Sequence, residues 1–378
     1  MKKILLIAHS LMDGGVEHFI LDLCKNIDPN EFQVSLLILC DNHLELVNEI
    51  PAHVRYEIIK NQYTTRGLRD TLSLLLSVKQ ITCAINRFSP DVIHTNTFQT
   101  NLTPILLAIA FARRSRPIKH VHTIHTAGLH YDSKTIRSRI KLKYELLWYR
   151  IMKTNIVCLT KYLKNKINKD NTLQTRVIYN GVDLNRFQNH NQVKEDLIQT
   201  LVYTARFDIG KSHDTLIDAL SILSTKHKNF RLVLIGDGPL RKSIEEKVSK
   251  LKLQNFVVYM GNVKRDKIPE LLAKSDIGIF PSEFEGFSIA MVEMMAAGLP
   301  IVCTDIPVFR EVFEDYPNMK YFPSRNHIVL AERINELLES DSLRSQMRKK
   351  SIEIAKRFSH QRFIAEYEKL YDECVLNK

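Results

Sequence analysis

The chain has 378 residues, of which 44% are apolar and 25% charged, a composition typical of a globular protein with room for two domains. Its longest apolar run, residues 105–112, is too short to cross a bilayer, and the run at residues 4–8 is too short for a signal peptide. The six cysteines are scattered and form no C-x-x-C pair, which argues against a disulfide framework or a zinc site and favours a reducing cytoplasm.

The net charge of +12 is concentrated in the first half of the chain. Between Lys134 and Lys169 there are eleven basic residues and a single acid, Glu145, interleaved with apolar and aromatic side chains such as Tyr144 and Trp148. This pattern suits an anionic membrane surface. An equally good interpretation is a helix with a solvated basic face whose apolar side packs on its own domain. Nucleic acid is the weakest alternative, and we expect no nucleic-acid partner.

Apolar runs alternate with helical patterns in the first half, which predicts a parallel sheet covered by helices on both faces. The predicted strands are residues 4–8, 34–39, 92–94, 118–124, 156–159 and 177–179, and the predicted helices include 17–26, 68–88 and 102–113. The polar residues 185–195 have the composition of a linker. We therefore expect domains at residues 1–184 and 196–358.

Two features of the first half suggest a ligand site. Gly14 and Gly15 precede the first helix, where glycine lets the backbone approach a ligand, although tight turns use the same residues without one. His125 follows a strand, at the edge where open α/β sheets bind ligands, although a structural role is an alternative. A metal site at His120, His122 and His125 is not expected, because strand alternation separates His125 from the other two and no acidic ligand is near.

The strand and helix pattern restarts in the second half. The predicted strands are residues 201–205, 231–235, 256–260, 277–280 and 301–303, and the predicted helices include 213–224, 289–297, 328–339, 342–354 and 361–375. Arg206 and Lys211 flank the first strand-to-helix turn, where two cations can neutralise a diphosphate. Ala205 stands where a P-loop needs its first glycine, and Arg241 where a dinucleotide fingerprint needs its third, so both motifs are rejected.

Residues 275–305 predict a strand, a loop, a helix and a strand, with two carboxylates placed unusually. Ser288 is expected to cap a helix in which every side chain except Glu293 is apolar. A carboxylate buried there costs about 2 to 7 kcal/mol unless strong donors meet it. Glu285 lies in the loop before the helix N-terminus, where free N–H groups attract anions. A neighbouring Lys or Arg could also satisfy Glu293.

These motifs follow one another in a recognisable order. The order is the glycine pair of the first loop, His125, N-G-V-D at 180–183, Arg206 and Lys211, G-D-G-P at 236–239, and E-x7-E with G-F-S after its first glutamate. It resembles a retaining glycosyltransferase of the large GT4 type over essentially the whole chain. The resemblance implies the GT-B fold, in which two Rossmann-like parallel-sheet domains face each other across a cleft and the last helix, about 361–375, packs back on the first domain. Ser212 departs from the family, which usually has glycine there.

The resemblance also implies a role for each motif. Arg206 and Lys211 would hold the donor diphosphate and stabilise the leaving group, and Glu285 and His125 would lie beside the donor sugar. These four are the implied catalytic residues, with Glu285 either a catalyst or a residue that only positions the sugar. Glu293 would accept hydrogen bonds from the ribose hydroxyls. The other implied donor contacts are made mostly by backbone, at Gly14, Gly15, Gly236, Gly286, Phe287 and Ser288. No metal and no cofactor is implied.

The implied function is metal-independent transfer of a hexosyl or N-acetylhexosaminyl group from a nucleotide diphosphate donor, most commonly UDP-linked in the family. The acceptor would be a hydroxyl of a growing, lipid-linked surface polysaccharide. Retention rests on the resemblance alone, because no residue is an evident nucleophile. A non-hydrolysing UDP-sugar epimerase of the same architecture and a non-catalytic peripheral membrane binding module are the alternatives. We expect a cytoplasmic location, peripheral at the inner membrane face through the basic stretch.

Overall fold

A computed structural model of the chain describes residues 1–59, 68–96, 102–114, 117–125, 136–169, 171–188, 198–316 and 318–376. The chain divides into two compact units. Unit 1 comprises Met1–Asn180 and Phe363–Lys378, and unit 2 comprises Gly181–Arg362.

The described part of unit 1 contains a sheet of seven parallel strands. They are β1 (Lys2–Ala8), β2 (Phe32–Ile38), β3 (Arg55–Ile58), β4 (Val92–Thr95), β5 (Lys119–Ile124), β6 (Asn155–Cys158) and β7 (Thr175–Val177). Their order across the sheet is β3-β2-β1-β4-β5-β6-β7. The direction of connection reverses between β1 and β4, and open α/β sheets bind ligands beyond the carboxyl ends of the strands at such a switch point.

Helices cover both faces of this sheet. They include α1 (Gly15–Asn26), α2 (Leu68–Phe88), α3 (Leu102–Ala112), α4 (Ile136–Met152) and α5 (Lys161–Ile167). Successive residues of β1 point to opposite faces, as the strand period requires. Leu5 and Ile7 belong to one apolar cluster with residues of α2, α3 and α4, whereas Ile4 and Leu6 belong to a second cluster with residues of α1.

Unit 2 is built in the same way on a sheet of six parallel strands in its described part. The strands are β8 (Gln199–Thr204), β9 (Phe230–Ile235), β10 (Val257–Gly261), β11 (Ile277–Phe280), β12 (Ile301–Thr304) and β13 (Lys320–Phe322), in the order β10-β9-β8-β11-β12-β13. The helices include α6 (Asn185–Gln188), α7 (His213–Lys226), α8 (Arg241–Lys250), α9 (Ile268–Ala273), α10 (Ile289–Ala296), α11 (Pro307–Val312), α12 (His327–Leu338) and α13 (Asp341–Ala355). The switch point of this sheet lies between β8 and β11.

The last helix, α14 (His360–Leu376), begins in unit 2, and from Phe363 onward it belongs to unit 1. Its buried face contributes to the second apolar cluster of unit 1. The Tyr371 hydroxyl hydrogen-bonds with His94 Nδ1 at 2.7 Å, and the Tyr367 hydroxyl with Thr123 Oγ1 at 3.0 Å. Two buried polar bonds therefore attach the end of the chain to β4 and β5.

The prediction of parallel-sheet α/β domains is confirmed, and the structure adds elements that the pattern did not indicate. Strands β3 and β13 were missed because their sequences, R-Y-E-I and K-Y-F, lack the continuous apolar run of a central strand. The predicted linker was wrong at its start, since residues 185–188 form α6, with Phe187 buried. The rest of that linker, 189–195, and residues 134 and 135 of the basic stretch lie outside the described residues.

Within the described residues, no helix is both long enough and apolar enough to cross a bilayer. In the same part of the chain, no three His, Cys, Asp or Glu side chains are grouped so that they could hold a metal ion. His120 and His122 instead share a neutral partner, since both hydrogen-bond with Thr95 Oγ1, at 2.9 and 2.7 Å.

Candidate functional site

Two loops leave the sheet of unit 2 at its switch point. Residues 205–212 connect β8 to α7, and residues 281–288 connect β11 to α10. Because β8 and β11 are paired and parallel, both loops emerge at the same edge of the sheet. The backbone N–H of Glu283 donates to the Gly210 carbonyl at 2.8 Å, which joins the two loops directly.

An ion pair connects the two loops. Lys211 Nζ donates to Glu285 Oε1 at 2.6 Å, and only 12% of the Glu285 side chain is exposed. Tyr203 lies in β8, and its buried hydroxyl donates to the Lys211 carbonyl at 2.9 Å and contacts Ser282 Oγ at 3.1 Å. Burial raises the pKa of Tyr203, so this hydroxyl stays protonated and keeps its donor. The position of the Lys211 ammonium group is thus determined by both loops.

Arg206 lies in the first loop and is more accessible. Its Nε is 3.5 Å from Asp208 Oδ2, and 57% of its side chain is exposed. An exposed pair of this kind contributes little to stability. The guanidinium group therefore remains available for an anionic ligand, which it can hold with two parallel hydrogen bonds.

Gly236 and Gly238 have a packing role that the sequence interpretation did not foresee. Both have positive φ, +127° and +157°. A Cβ on Gly236 would lie 2.2 Å from the Ala205 carbonyl oxygen, and one on Gly238 would lie 2.6 Å from the Phe207 carbonyl oxygen. The G-D-G turn thus supports the loop that carries Arg206. The predicted donor contact at Gly236 stays a prediction.

Ser212 occupies a position with left-handed backbone, φ 49° and ψ 41°. Glycine is the residue best suited to this conformation, which gives a physical reason for the glycine usual in the resembling family. Here the Ser212 hydroxyl donates to Glu283 Oε1 at 2.9 Å. Glu283 also accepts a hydrogen bond from Arg325, at 2.8 Å, so the serine belongs to a charged network between the loops.

Helix α10 begins beside these loops. Ser288 caps it as predicted, accepting from the Met291 N–H at 3.4 Å, and Gly298 ends it with a positive φ. Glu293 is buried as predicted, with 8% exposed. The Phe287 ring is also buried and packs against Phe358, with 5.3 Å between ring centroids. With its ring in the core, Phe287 can offer a ligand only its backbone.

In unit 1, the glycine pair lies at the start of α1, where Gly14 is the N-cap residue and Gly15 is the first residue of the helix. A Cβ on Gly15 would meet nothing within 4 Å, so packing within the chain does not require glycine there. A Cβ on Gly14 would lie 2.6 Å from Glu17 Oε2. Burial raises the pKa of the Glu17 carboxyl to about 7, which makes it a partly protonated group at neutral pH.

His125 lies at the carboxyl end of β5. Its Nε2 is 3.1 Å from Asn96 Oδ1, and its ring meets the edge of Phe19, with 4.7 Å between centroids. Burial, and secondarily His122, lowers the pKa of His125 to about 3, so the imidazole is uncharged at neutral pH. Asn96 was missed in the sequence, although a polar residue directly after β4 at the switch point is itself a signal.

The predicted site residues are divided between the two units. Unit 2 contains Arg206, Lys211, Glu285 and Glu293 together with Gly236 and residues 286–288, and unit 1 contains Gly14, Gly15 and His125. The sequence interpretation missed Tyr203, Ser282 and Glu283 because their role is to join two loops that are about seventy residues apart in the chain. No local pattern reports such a contact.

Two family models match consecutive parts of the chain. The model described as Glycosyltransferase Family 4 matches residues 13–186, and the model described as Glycosyl transferases group 1 matches residues 185–354. An uncharacterized glycosyltransferase of Methanocaldococcus jannaschii is 27% identical over 361 residues, which is 95% of each chain.

A shorter match involves a Campylobacter jejuni protein named N-acetylgalactosamine-N,N'-diacetylbacillosaminyl-diphospho-undecaprenol 4-alpha-N-acetylgalactosaminyltransferase. It is 30% identical over 187 residues, 48% of this chain and 49% of its own. The crystal structure of Anabaena HepE in complex with UDP and glucose has a TM-score of 0.78 at 21% identity, covering 98% of this chain and 100% of that chain. This likeness shows the GT-B fold. From the two family models and the full-length relative, we conclude that the chain belongs to the group 1, family 4 glycosyltransferases.

Proposed function

We propose that this glycosyltransferase moves a hexosyl or N-acetylhexosaminyl group, with retention, from a nucleoside diphosphate donor to a hydroxyl of a growing, lipid-linked surface polysaccharide. The observation that carries the donor assignment is the joined pair of loops at the switch point of unit 2. They bring the Lys211–Glu285 pair, a loop with the exposed Arg206 and the N-terminus of α10 to one edge of the sheet.

Arg206 and Lys211 bind the donor diphosphate in this proposal. As the bond between the sugar and the diphosphate breaks, negative charge grows on the departing phosphate oxygen, and the two cations stabilise it. They supply positive charge without a metal ion, so we propose metal-independent transfer. Glu285 holds the Lys211 ammonium group at 2.6 Å and lies beside the donor sugar.

Helix α10 contributes the rest of the donor site. The free N–H groups of its first turn, with the backbone of residues 286–288, face the phosphates and the sugar. Glu293 accepts hydrogen bonds from the ribose hydroxyls, which suits a carboxylate that is 8% exposed in an otherwise apolar helix. In unit 1, the open space at Gly15 admits the donor phosphates, and the uncharged His125 contacts the sugar.

The acceptor and location are proposed on two grounds. The Campylobacter relative is named for a diphospho-undecaprenol substrate, which is a lipid-linked glycan. The basic stretch of this chain suits an anionic membrane surface. We place the enzyme in the cytoplasm, peripheral at the inner face of the membrane, with UDP as the first nucleotide to test.

The donor assignment is tested by isothermal titration of the full chain with UDP and with GDP in the presence of EDTA. Arg206→Ala and Lys211→Ala should each lower the affinity for the preferred nucleotide about ten- to a hundred-fold, because each removes charge-assisted hydrogen bonds worth roughly 1.5–3 kcal/mol. Lys274→Ala is the matched control, since this exposed lysine pairs with Glu270 within its own helical turn. Absence of binding by both nucleotides, or undiminished binding by the double variant, contradicts the assignment.

Two other functions give different results in simple assays. An epimerase converts the donor sugar without any acceptor, which mass spectrometry of the donor detects. A non-catalytic membrane module turns over no donor at all, and its vesicle binding persists when Arg206, Lys211 and Glu285 are all replaced. A transferase consumes the donor only when the acceptor is present.

A further inference from the structure

Among the described side chains of helix α4, large apolar residues lie on two faces, and one of these faces packs inside unit 1. Tyr149 and Met152 are buried in the core of the unit, and Leu146 and Trp148 pack partly against it. Four other large apolar side chains are exposed, namely Ile140 at 63%, Tyr144 at 48%, Leu147 at 51% and Ile151 at 61%. We refer to these four residues as the outer stripe.

The outer stripe is one continuous line. Its members are spaced four, three and four residues apart, and residues at this spacing lie above one another on a single side of an α-helix. Tyr149 is turned by about half a helical turn from that line. Because Tyr149 already faces the core of unit 1, the outer stripe faces away from this core.

Positive charge accompanies the outer stripe. Lys143 and Arg150 lie along its edge and are exposed, and the exposed Lys153 follows the end of the helix. The one acid among the described residues of α4, Glu145, is buried and accepts a hydrogen bond from the Tyr149 hydroxyl at 2.5 Å. The outward side of this helix is therefore both apolar and cationic.

We propose that the outer stripe lies in the interfacial layer of an anionic lipid bilayer, with α4 parallel to the membrane plane. Its apolar side chains enter the boundary of the acyl chains, and Lys143, Arg150 and Lys153 contact the headgroup phosphates. The inference rests on the proposed function only in that a lipid-linked acceptor requires the enzyme to work at a membrane. It adds which residues make the contact and how the helix lies.

Other partners fit these observations less well. Nucleic acid would use the cations and leave the four apolar side chains in water. A symmetric contact with a second copy of the chain would bury the stripe, but it would bring Lys143 and Arg150 against the same cations of the partner helix, and like charges in contact are unfavourable. A bilayer satisfies both the apolar and the charged part of the surface.

The test is flotation of the full chain with phosphatidylcholine vesicles that contain or lack phosphatidylglycerol. The double variant Leu147→Gln with Ile151→Gln should lower partitioning onto the anionic vesicles about ten-fold or more, because two large aliphatic side chains no longer enter the interface. Ile328→Gln is the matched control, since Ile328 is equally exposed at 56% but lies in unit 2. The variant Lys143→Gln with Arg150→Gln should lose binding to anionic vesicles and regain it partly at low salt.

Several outcomes overturn the inference. The inference is wrong if the wild-type chain does not bind anionic vesicles. It is also wrong if the Leu147→Gln, Ile151→Gln double variant, the outer-stripe variant, binds them as well as the wild type does. A dimer in analytical ultracentrifugation that the outer-stripe variant abolishes, without vesicle binding, assigns the surface to a second copy. Nucleotide titration of the same variants separates this result from the proposed function, because the outer-stripe variant should bind the donor nucleotide like the wild type.

Discussion

At the scale of single residues, the backbone geometry around the candidate site explains choices that the sequence showed without a reason. Gly210 has φ +83°, and a Cβ there would lie 2.2 Å from the Phe284 ring. Two residues later, Ser212 has a left-handed backbone conformation, and its hydroxyl donates a hydrogen bond to Glu283. At Ser212, the position that departs from the family pattern, the charge-assisted hydrogen bond to Glu283 offsets the cost of a left-handed backbone in a residue other than glycine.

Two substitutions at Ser212 separate the cost of its left-handed backbone from the stabilisation by its hydrogen bond to Glu283. Ser212→Ala keeps the strain and loses the bond, and should lower the free energy of unfolding by about 1–2 kcal/mol. Ser212→Gly loses the same bond but relieves the strain, so it should be about 0.5–1 kcal/mol more stable than the alanine variant. Urea denaturation measures the difference. An alanine variant at least as stable as the glycine variant would show that the left-handed backbone imposes no cost.

At the scale of elements, the last helix shows how polar contacts complement apolar packing. The face of α14 that carries Phe363, Tyr367 and Leu370 is buried in unit 1. Its two tyrosine hydroxyls reach polar atoms of β4 and β5, where His94 has both ring nitrogens hydrogen-bonded. Buried polar groups of this kind must be paired, so the helix has one position in which every bond is made.

Tyr371→Phe tests this attachment. The substitution leaves the buried His94 Nδ1 without the Tyr371 hydroxyl and should lower the free energy of unfolding by about 1–3 kcal/mol. The matched control is Tyr56→Phe in strand β3, whose side chain is exposed, and we expect no change there. The measurement is the urea midpoint with the slope held constant. Equal stability of both variants contradicts the assigned role of the His94–Tyr371 bond.

At the scale of the whole molecule, the two units differ in their buried histidines. In unit 1, burial lowers the pKa of His94, His120, His122 and His125, to about 4 for His122, to about 3 for His125 and well below the ordinary range for the other two. The described part of unit 2 has a comparable case in His213, whose pKa burial lowers to about 4. Unfolding at mildly acidic pH therefore takes up more protons in unit 1 than in unit 2.

The lowered pKa values of these buried histidines determine how the stability of unit 1 changes with pH. Each buried imidazole of unit 1 stays neutral in the folded state but binds a proton in the unfolded state below pH about 6.5, which lowers stability by about 1.4 kcal/mol per pH unit. Glu17 acts in the opposite direction, because its raised pKa of about 7 lets the folded state take up a proton first. With His94, His120, His122 and His125 counted against Glu17, the net expectation for unit 1 is a loss of about 3 kcal/mol between pH 7 and 5.5.

Calorimetric and urea unfolding at the two pH values check this expectation. Glu17→Gln removes the compensating group and should increase the loss to about 5 kcal/mol, whereas His122→Asn should decrease it by about 1 kcal/mol. A chain that is as stable at pH 5.5 as at pH 7, in the wild type and in Glu17→Gln, is incompatible with neutral buried imidazoles in unit 1.

The sequence by itself determined the order of the central strands and of many helices, the caps of α10 and the motifs that resemble the family, because these depend on periodicity and on local backbone chemistry. The structure decided which distant residues meet. Lys211 and Glu285 are paired because two loops leave adjacent parallel strands, Gly236 is required because another loop presses against it, and α4 buries Tyr149 while its outer stripe stays exposed. Such contacts join segments far apart in the chain, and only the packed sheet brings them together.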